Sequence, residues 1–142
     1  MPYNLSIIVD KQSTYEQNIP ATPYILPDKT IQIYPGETIY VEVSHNNGII
    51  NSFKAVKEIK EANHTLTITL KQTSENGVHQ NMMLTIHNPF PEKLIYTATM
   101  STLRNKKWVT TDVYPVEPGL SGIEIWPDII LSLGLGHWEF KK

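Results

Sequence analysis

Along this chain the dominant hydrophobic period is two. In residues 38–44, Ile39, Val41 and Val43 share one face while Tyr40, Glu42 and Ser44 share the other, the pattern of a strand with one dry side. Residues 65–71 repeat it with Leu66, Ile68 and Leu70 set against three threonines, whose branched side chains suit a pleated surface. Residues 82–87 and 94–101 fit the same template, the latter with Leu94, Tyr96, Ala98 and Met100 inward. Shorter segments of the same kind lie at 5–9, 31–34, 107–113, 123–126 and 137–140.

Turn residues fall between these segments. Tyr34-Pro35-Gly36-Glu37 sets Pro where φ is near −65° and Gly where a type II turn needs positive φ, so the chain reverses there. Glu75-Asn76-Gly77 joins the strands at 65 and 82 into a hairpin, through a loop expected to exceed two residues. Asn88-Pro89-Phe90-Pro91 and Pro118-Gly119 are further breaks. Residues 18–28 hold Pro20, Pro23 and Pro27, which predict an extended crossover along a sheet edge. In residues 52–62 the spacing of Phe53, Val56 and Ile59 allows a short helix; a strand is preferred, because one isolated helix fits poorly among so many strands. Seven to nine short strands with frequent turns predict a single domain over residues 1–142, an all-β antiparallel two-sheet sandwich of immunoglobulin-like layout, with a β-barrel as the alternative.

Composition narrows the partners. With 40 % apolar and 18 % charged residues, the chain is a somewhat polar globular one. Twelve Lys+Arg against fourteen Asp+Glu leave a net charge of −2, which argues against nucleic acid as a partner. The absence of cysteine removes disulfides, thiolate metal sites and a Cys nucleophile. Residues 123–135 are interrupted by Glu124, Pro127, Asp128 and Gly134, and fall short of the ~18–20 apolar residues of a membrane span. Met1-Pro2-Tyr3-Asn4 opens with no visible signal peptide.

No motif encodes a reactive centre or a cofactor site. His45, His64, His79, His87 and His137 form no His-x-His or His-Glu-x-x-His pattern, and are read as solvated side chains on loops or, for His87, on an outer face. Gly119-Leu120-Ser121-Gly122 departs from a nucleophile elbow. Asp112, Glu117, Glu124 and Asp128, close in sequence to Trp108 and Trp126, suggest a hydrolase with an acidic pair as a third-ranked reading. A carbohydrate-binding module comes second, with Trp108, Trp126 and Trp138 as its aromatic platforms; core anchoring is the preferred role for these rings. Arg104, Lys106 and Lys107 read as a solvated tip that protects an edge.

The stretch from Asn88-Pro89-Phe90-Pro91 to Ala98, followed by Thr111-Asp112-Val113-Tyr114-Pro115-Val116 and Glu124-Ile125-Trp126-Pro127, resembles blocks of uncharacterised bacterial envelope or secreted proteins with an immunoglobulin-like sandwich. The resemblance covers about the last 55 residues and implies a periplasmic or secreted setting without implying an activity. The first-ranked expectation is therefore a non-enzymatic domain that makes protein contacts, through a partner or a second copy at an edge strand, as a structural component of an envelope or surface assembly.

Overall fold

The computed structural model describes residues 3–21, 23–104 and 107–141. Among the described residues, eleven strands run in order β1 (Tyr3–Ile8), β2 (Thr14–Ile19), β3 (Ile31–Ile33), β4 (Thr38–Asn46), β5 (Ile49–Val56), β6 (Thr65–Glu75), β7 (Val78–His87), β8 (Lys93–Thr102), β9 (Val109–Thr111), β10 (Ser121–Trp126) and β11 (Ile130–Lys141). They form a five-stranded sheet ordered β10-β7-β6-β4-β5, a four-stranded sheet ordered β3-β11-β8-β9 and the β1-β2 hairpin, and every strand pairing is antiparallel. Both larger sheets end in open edges, so this is a sandwich and not the alternative barrel.

The alternating residues meet in one core between the two larger sheets. Ile39, Val41 and Val43 of β4, Leu66, Ile68 and Leu70 of β6, and Met82, Leu84 and Ile86 of β7 face Leu94, Tyr96, Ala98 and Met100 of β8 and Leu133 and Leu135 of β11. Apolar burial of this kind is the main force that holds the layers together. A smaller cluster of Leu5, Ile7, Ile19 and Leu131 seats the β1-β2 hairpin, which was not expected as a separate sheet. Gln72 of β6 fixes it in place, accepting from the Ile8 amide at 2.8 Å and donating to the Ile8 carbonyl at 2.6 Å.

Two hairpins turn on Asn-Gly. Asn47 and Gly48 have φ of 52° and 82°, and Asn76 and Gly77 have 53° and 76°, as a type I′ turn requires at both positions. The 76–77 loop is therefore two residues long, shorter than expected, because Asn tolerates positive φ well enough for the tightest connection. At Tyr34-Pro35-Gly36-Glu37 the Glu37 amide donates to the Tyr34 carbonyl at 3.1 Å and Gly36 has φ 93°, but the turn carries the chain from one sheet to the other and does not form a hairpin. The segment at 52–62 is strand as far as Val56, then irregular, with a single 3-10 turn at Ala62–His64. Between Pro20 and β3 regular pairing is lost apart from one bridge, Ile25 to Ile31.

β11 contains a bulge that the pattern concealed. Gly136 opposes Thr97 and Glu139 opposes Ile95, so His137 and Trp138 together span Tyr96. His137 absorbs the extra residue at φ 54°. Alternation shifts by one at this point, which returns Trp138 and Phe140 to the core side while His137 stays outside.

Candidate functional site

β10 is an inside-out strand. Its register on β7 pairs Gly122 with Ile86 and Glu124 with Leu84, so Gly122, Glu124 and Trp126 share the side on which Leu84 and Ile86 enter the core. Its apolar pair, Ile123 and Ile125, therefore points outward, 58 % and 57 % exposed, opposite Thr85 and Met83. Three contacts fix this orientation. A side chain at Gly122 would come within 2.9 Å of Val116, which is buried in the core. Glu124 accepts the Tyr114 amide at 2.9 Å, and Trp126 packs on the core. Val116 is held in turn by a two-way backbone bridge to Leu94 and by the fully buried Asn88, whose Nδ2 donates to the carbonyls of Glu92 and Val116 and whose Oδ1 accepts the Phe90 amide.

The other sheet edges are defended. β5 places Lys54 opposite Glu42, exposes Asn51, Ser52 and Ala55, and is flanked by a groove lined by Lys57, Glu58 and Lys60; its one exposed isoleucine, Ile49, lies at the hairpin turn, where Lys29 donates to the Ile50 carbonyl at 3.1 Å. β3 is three residues long, with the Ile25 bridge beside it. β9 is also three residues long and follows Arg104 and Lys107, both exposed. Lysines, short strands and irregular cover are the usual means of keeping an edge single. β10 has six residues and no lysine, and its one carboxylate is engaged by Tyr114.

The three tryptophans part company. Trp138 stacks on Tyr96 with ring centroids 5.1 Å apart at 18°, meets Phe53 edge-on at 5.7 Å, and donates from Nε1 to the Leu135 carbonyl at 2.8 Å. It and Trp126 are partly buried and pack against the core, and Trp138 also lines a groove with Asp28, Lys29 and His137. Trp108 is 58 % exposed and lies on the outer side of the four-stranded sheet. Of the three rings Trp108 is the exposed one, because the bulge at His137 turns Trp138 toward the core and the inversion of β10 turns Trp126 the same way.

Two of the histidines, His45 and His79, are less solvated than expected, whereas His64, His87 and His137 are exposed. His45 packs on Phe90 and Phe140 with centroids at 5.2 and 4.7 Å, and its Nδ1 is buried without a hydrogen bond; His64 reaches Phe90 at 6.1 Å. His79 accepts at Nδ1 from the Gln72 amide at 2.8 Å, which leaves its Nε2–H to donate to the Pro127 carbonyl at 2.8 Å. His87 does lie on an outer face, 3.2 Å from Ser121 Oγ, and no carboxylate completes a triad there among the described residues. No group of three or more metal-ligating side chains forms among the described residues.

The acidic residues serve separately. Glu117 pairs with Lys93 at 3.7 Å on the surface, Glu124 caps the Tyr114 amide, and Asp112 and Asp128 are exposed. Burial, with the Glu124 charge second, pushes the Tyr96 hydroxyl well above its ordinary value. Of the basic trio, Lys106 lies outside the described residues. No helix among the described residues is long and apolar enough to cross a membrane. Compared with known protein families, with curated proteins and with solved structures, the chain finds no match in any of the three.

Proposed function

We propose that this domain is a non-catalytic contact module, a structural component of an envelope or surface assembly, and that it makes its contact by strand addition at β10. The observation that carries this reading is the reversed β10, which presents Ile123 and Ile125 to solvent on an edge with no strand beside it among the described residues. Strand addition supplies main-chain hydrogen bonds along the edge, and the isoleucine pair supplies apolar burial on one face. The resemblance of the C-terminal blocks to envelope proteins supports the setting.

The occupant that fits by construction is a second copy in antiparallel, two-fold pairing. Opposed residues share a face, so the pairing is centred on a residue of the outer or the inner set. Centring on Glu124 would set two carboxylates against each other. Centring on Ile123 avoids this, placing Ile123 against its own counterpart and Glu124 against Gly122, and it makes a continuous ten-stranded sheet from two five-stranded ones.

The cysteine-free chain allows a direct test by single thiols. Directly opposed Cβ atoms in antiparallel pairs are about 4.5–5.5 Å apart, close to disulfide reach. Ile123→Cys is expected to form a covalent dimer under mild oxidation, whereas Lys54→Cys on β5 is not. Failure of Ile123→Cys to cross-link, or equal cross-linking at Lys54→Cys, would overturn the reading.

A further inference from the structure

The outward face of the four-stranded sheet carries a trough with a chemistry of its own. One cross-strand row reads Gln32, Gly134, Thr99, Thr110 from β3 to β9. The rows on either side pair Gly136 with Thr97 and Ser132 with Ser101. Because β11 offers glycine at two of these three positions it contributes no side chain there; Thr30 leans over the strand, its Cγ2 and Oγ1 3.4 and 3.3 Å from where a Cβ on Gly134 and on Gly136 would stand, and the groove lies beside it. Over the central rows the polar groups of the groove are uncharged, and Leu26 and Trp108 add apolar lining. Thr99 and Thr110 share a hydroxyl–hydroxyl contact of 3.1 Å, Thr97 donates to the Gly136 carbonyl at 3.3 Å, and Gln32 donates one amide hydrogen to the Pro23 carbonyl at 2.6 Å, which leaves hydroxyl lone pairs, the Gln32 Oε1 and its second amide hydrogen for the groove.

Two grooves run end to end here and share Trp108. One of about 340 Å³ lies over Thr97, Thr99 and Gly134, and one of about 400 Å³ lies over Ser101 and Ser132 beside Tyr15 and Tyr34. Charge enters only at the far end, where Asp28 and His137 line the wall and Thr30 donates its amide to Asp28 at 3.0 Å. The four steps along β11 from Ser132 to Gly136 correspond to about 13 Å of floor at ~3.3 Å per residue, the length of a short chain and not of a single ring.

We infer that this trough binds a neutral oligosaccharide, with Trp108 as the apolar wall and Gln32, Thr97 and Thr99 as the hydrogen-bonding floor. A sugar ring offers an apolar C–H face and a rim of hydroxyls, and the site offers an exposed indole beside hydroxyls and an amide. A peptide strand is a poorer match, since on the face of a sheet the main chain is already paired and strand addition is impossible. An acidic polysaccharide has no cation to meet over the central rows. The distorted backbone of His137 serves the same end, because the bulge holds its ring outside, at the groove, while the residues after it return to the core.

The test is titration of the intact chain with a panel of soluble neutral and uronic-acid oligosaccharides, followed by tryptophan emission and calorimetry. The result expected is saturable binding of a neutral member, at least tenfold weaker in Trp108→Ala and in Gln32→Ala, with melting temperatures close to wild type because both side chains lie at the surface. Ile123→Lys, on the opposite sheet, leaves this binding unchanged, which separates the trough from the β10 contact. Absence of binding across the panel, preference for the uronic acids, or full affinity in Trp108→Ala would overturn the inference.

Discussion

The five-stranded sheet has two edges that began with the same problem and solved it in opposite ways. On β5 the outer positions from residue 51 onward are amide, hydroxyl, lysine and alanine, Ile50 is buried at 4 % exposure, and the one exposed isoleucine, Ile49, sits at the hairpin turn where Lys29 covers the neighbouring Ile50 carbonyl; on β10 both isoleucines lie outside along the strand and a carboxylate lies inside. One edge is built to remain single and the other to accept a neighbour. The difference teaches that hydrophobicity at an edge is informative only with its direction: an isoleucine facing the core stabilises the fold, and one facing out defines a surface.

The largest effect that sharpens this contrast is expected at Ile50→Ala, which leaves a cavity in the core and costs about 2–5 kcal/mol in denaturant unfolding. Ile125→Ala, the same chemical change on the other edge, stays within about 0.5 kcal/mol. Equal losses at the two sites would remove the contrast. Next in size is Asn88→Ala, which strips partners from the carbonyls of Glu92 and Val116 and from the Phe90 amide and is expected to cost about 1–3 kcal/mol. Its signature is loss of hydrogen-exchange protection at Val116 and along β10, since this side chain steadies the segment that holds β10 in its inverted orientation.

The smallest effect concerns pH. Tyr96 is held protonated above its ordinary range, mainly by burial and secondarily by Glu124, so its folded-state value exceeds the unfolded one. Its stabilising contribution is complete below the ordinary tyrosine value of about 10 and is lost as pH rises beyond it. In Glu124→Gln one of the two causes disappears, so Tyr96 ionises at lower pH and the alkaline loss of stability becomes shallower. Tyrosinate absorbance during alkaline titration checks this, and an unchanged titration would place Glu124 outside the influence assigned to it. Tyr24, raised to about 12 by burial and by its 2.9 Å bond to Glu37, titrates in the same direction and provides an internal reference.

Much of the architecture was legible because period-two segments report a strand with little ambiguity. β4, β6, β7 and β8 lie where alternation placed them, with the predicted faces inward. β2 was invisible, since Tyr15-Glu16-Gln17-Asn18 is polar and only Ile19 of that strand is buried. β11 was read in fragments because its outward positions are glycine and its alternation slips by one residue at His137. At β10 the period was right and the direction was not available: alternation defines two faces without saying which is dry. That choice rests on contacts with Val116 and Tyr114 in the preceding loop, itself held by the sequence-distant Asn88, none of which alternation encodes, and the edge contact site depends on it. Likewise Trp108, Trp126 and Trp138 were equivalent as letters, and only the sheet geometry leaves Trp108 on the surface.

The central claim is that β10 is the contact edge of this domain. Sedimentation velocity across a concentration series tests it most directly, with wild type beside Ile123→Lys and both shown to melt alike. The account predicts concentration-dependent association of the wild type that the lysine abolishes; a wild type monomeric throughout, or a lysine variant that associates as strongly, would contradict it.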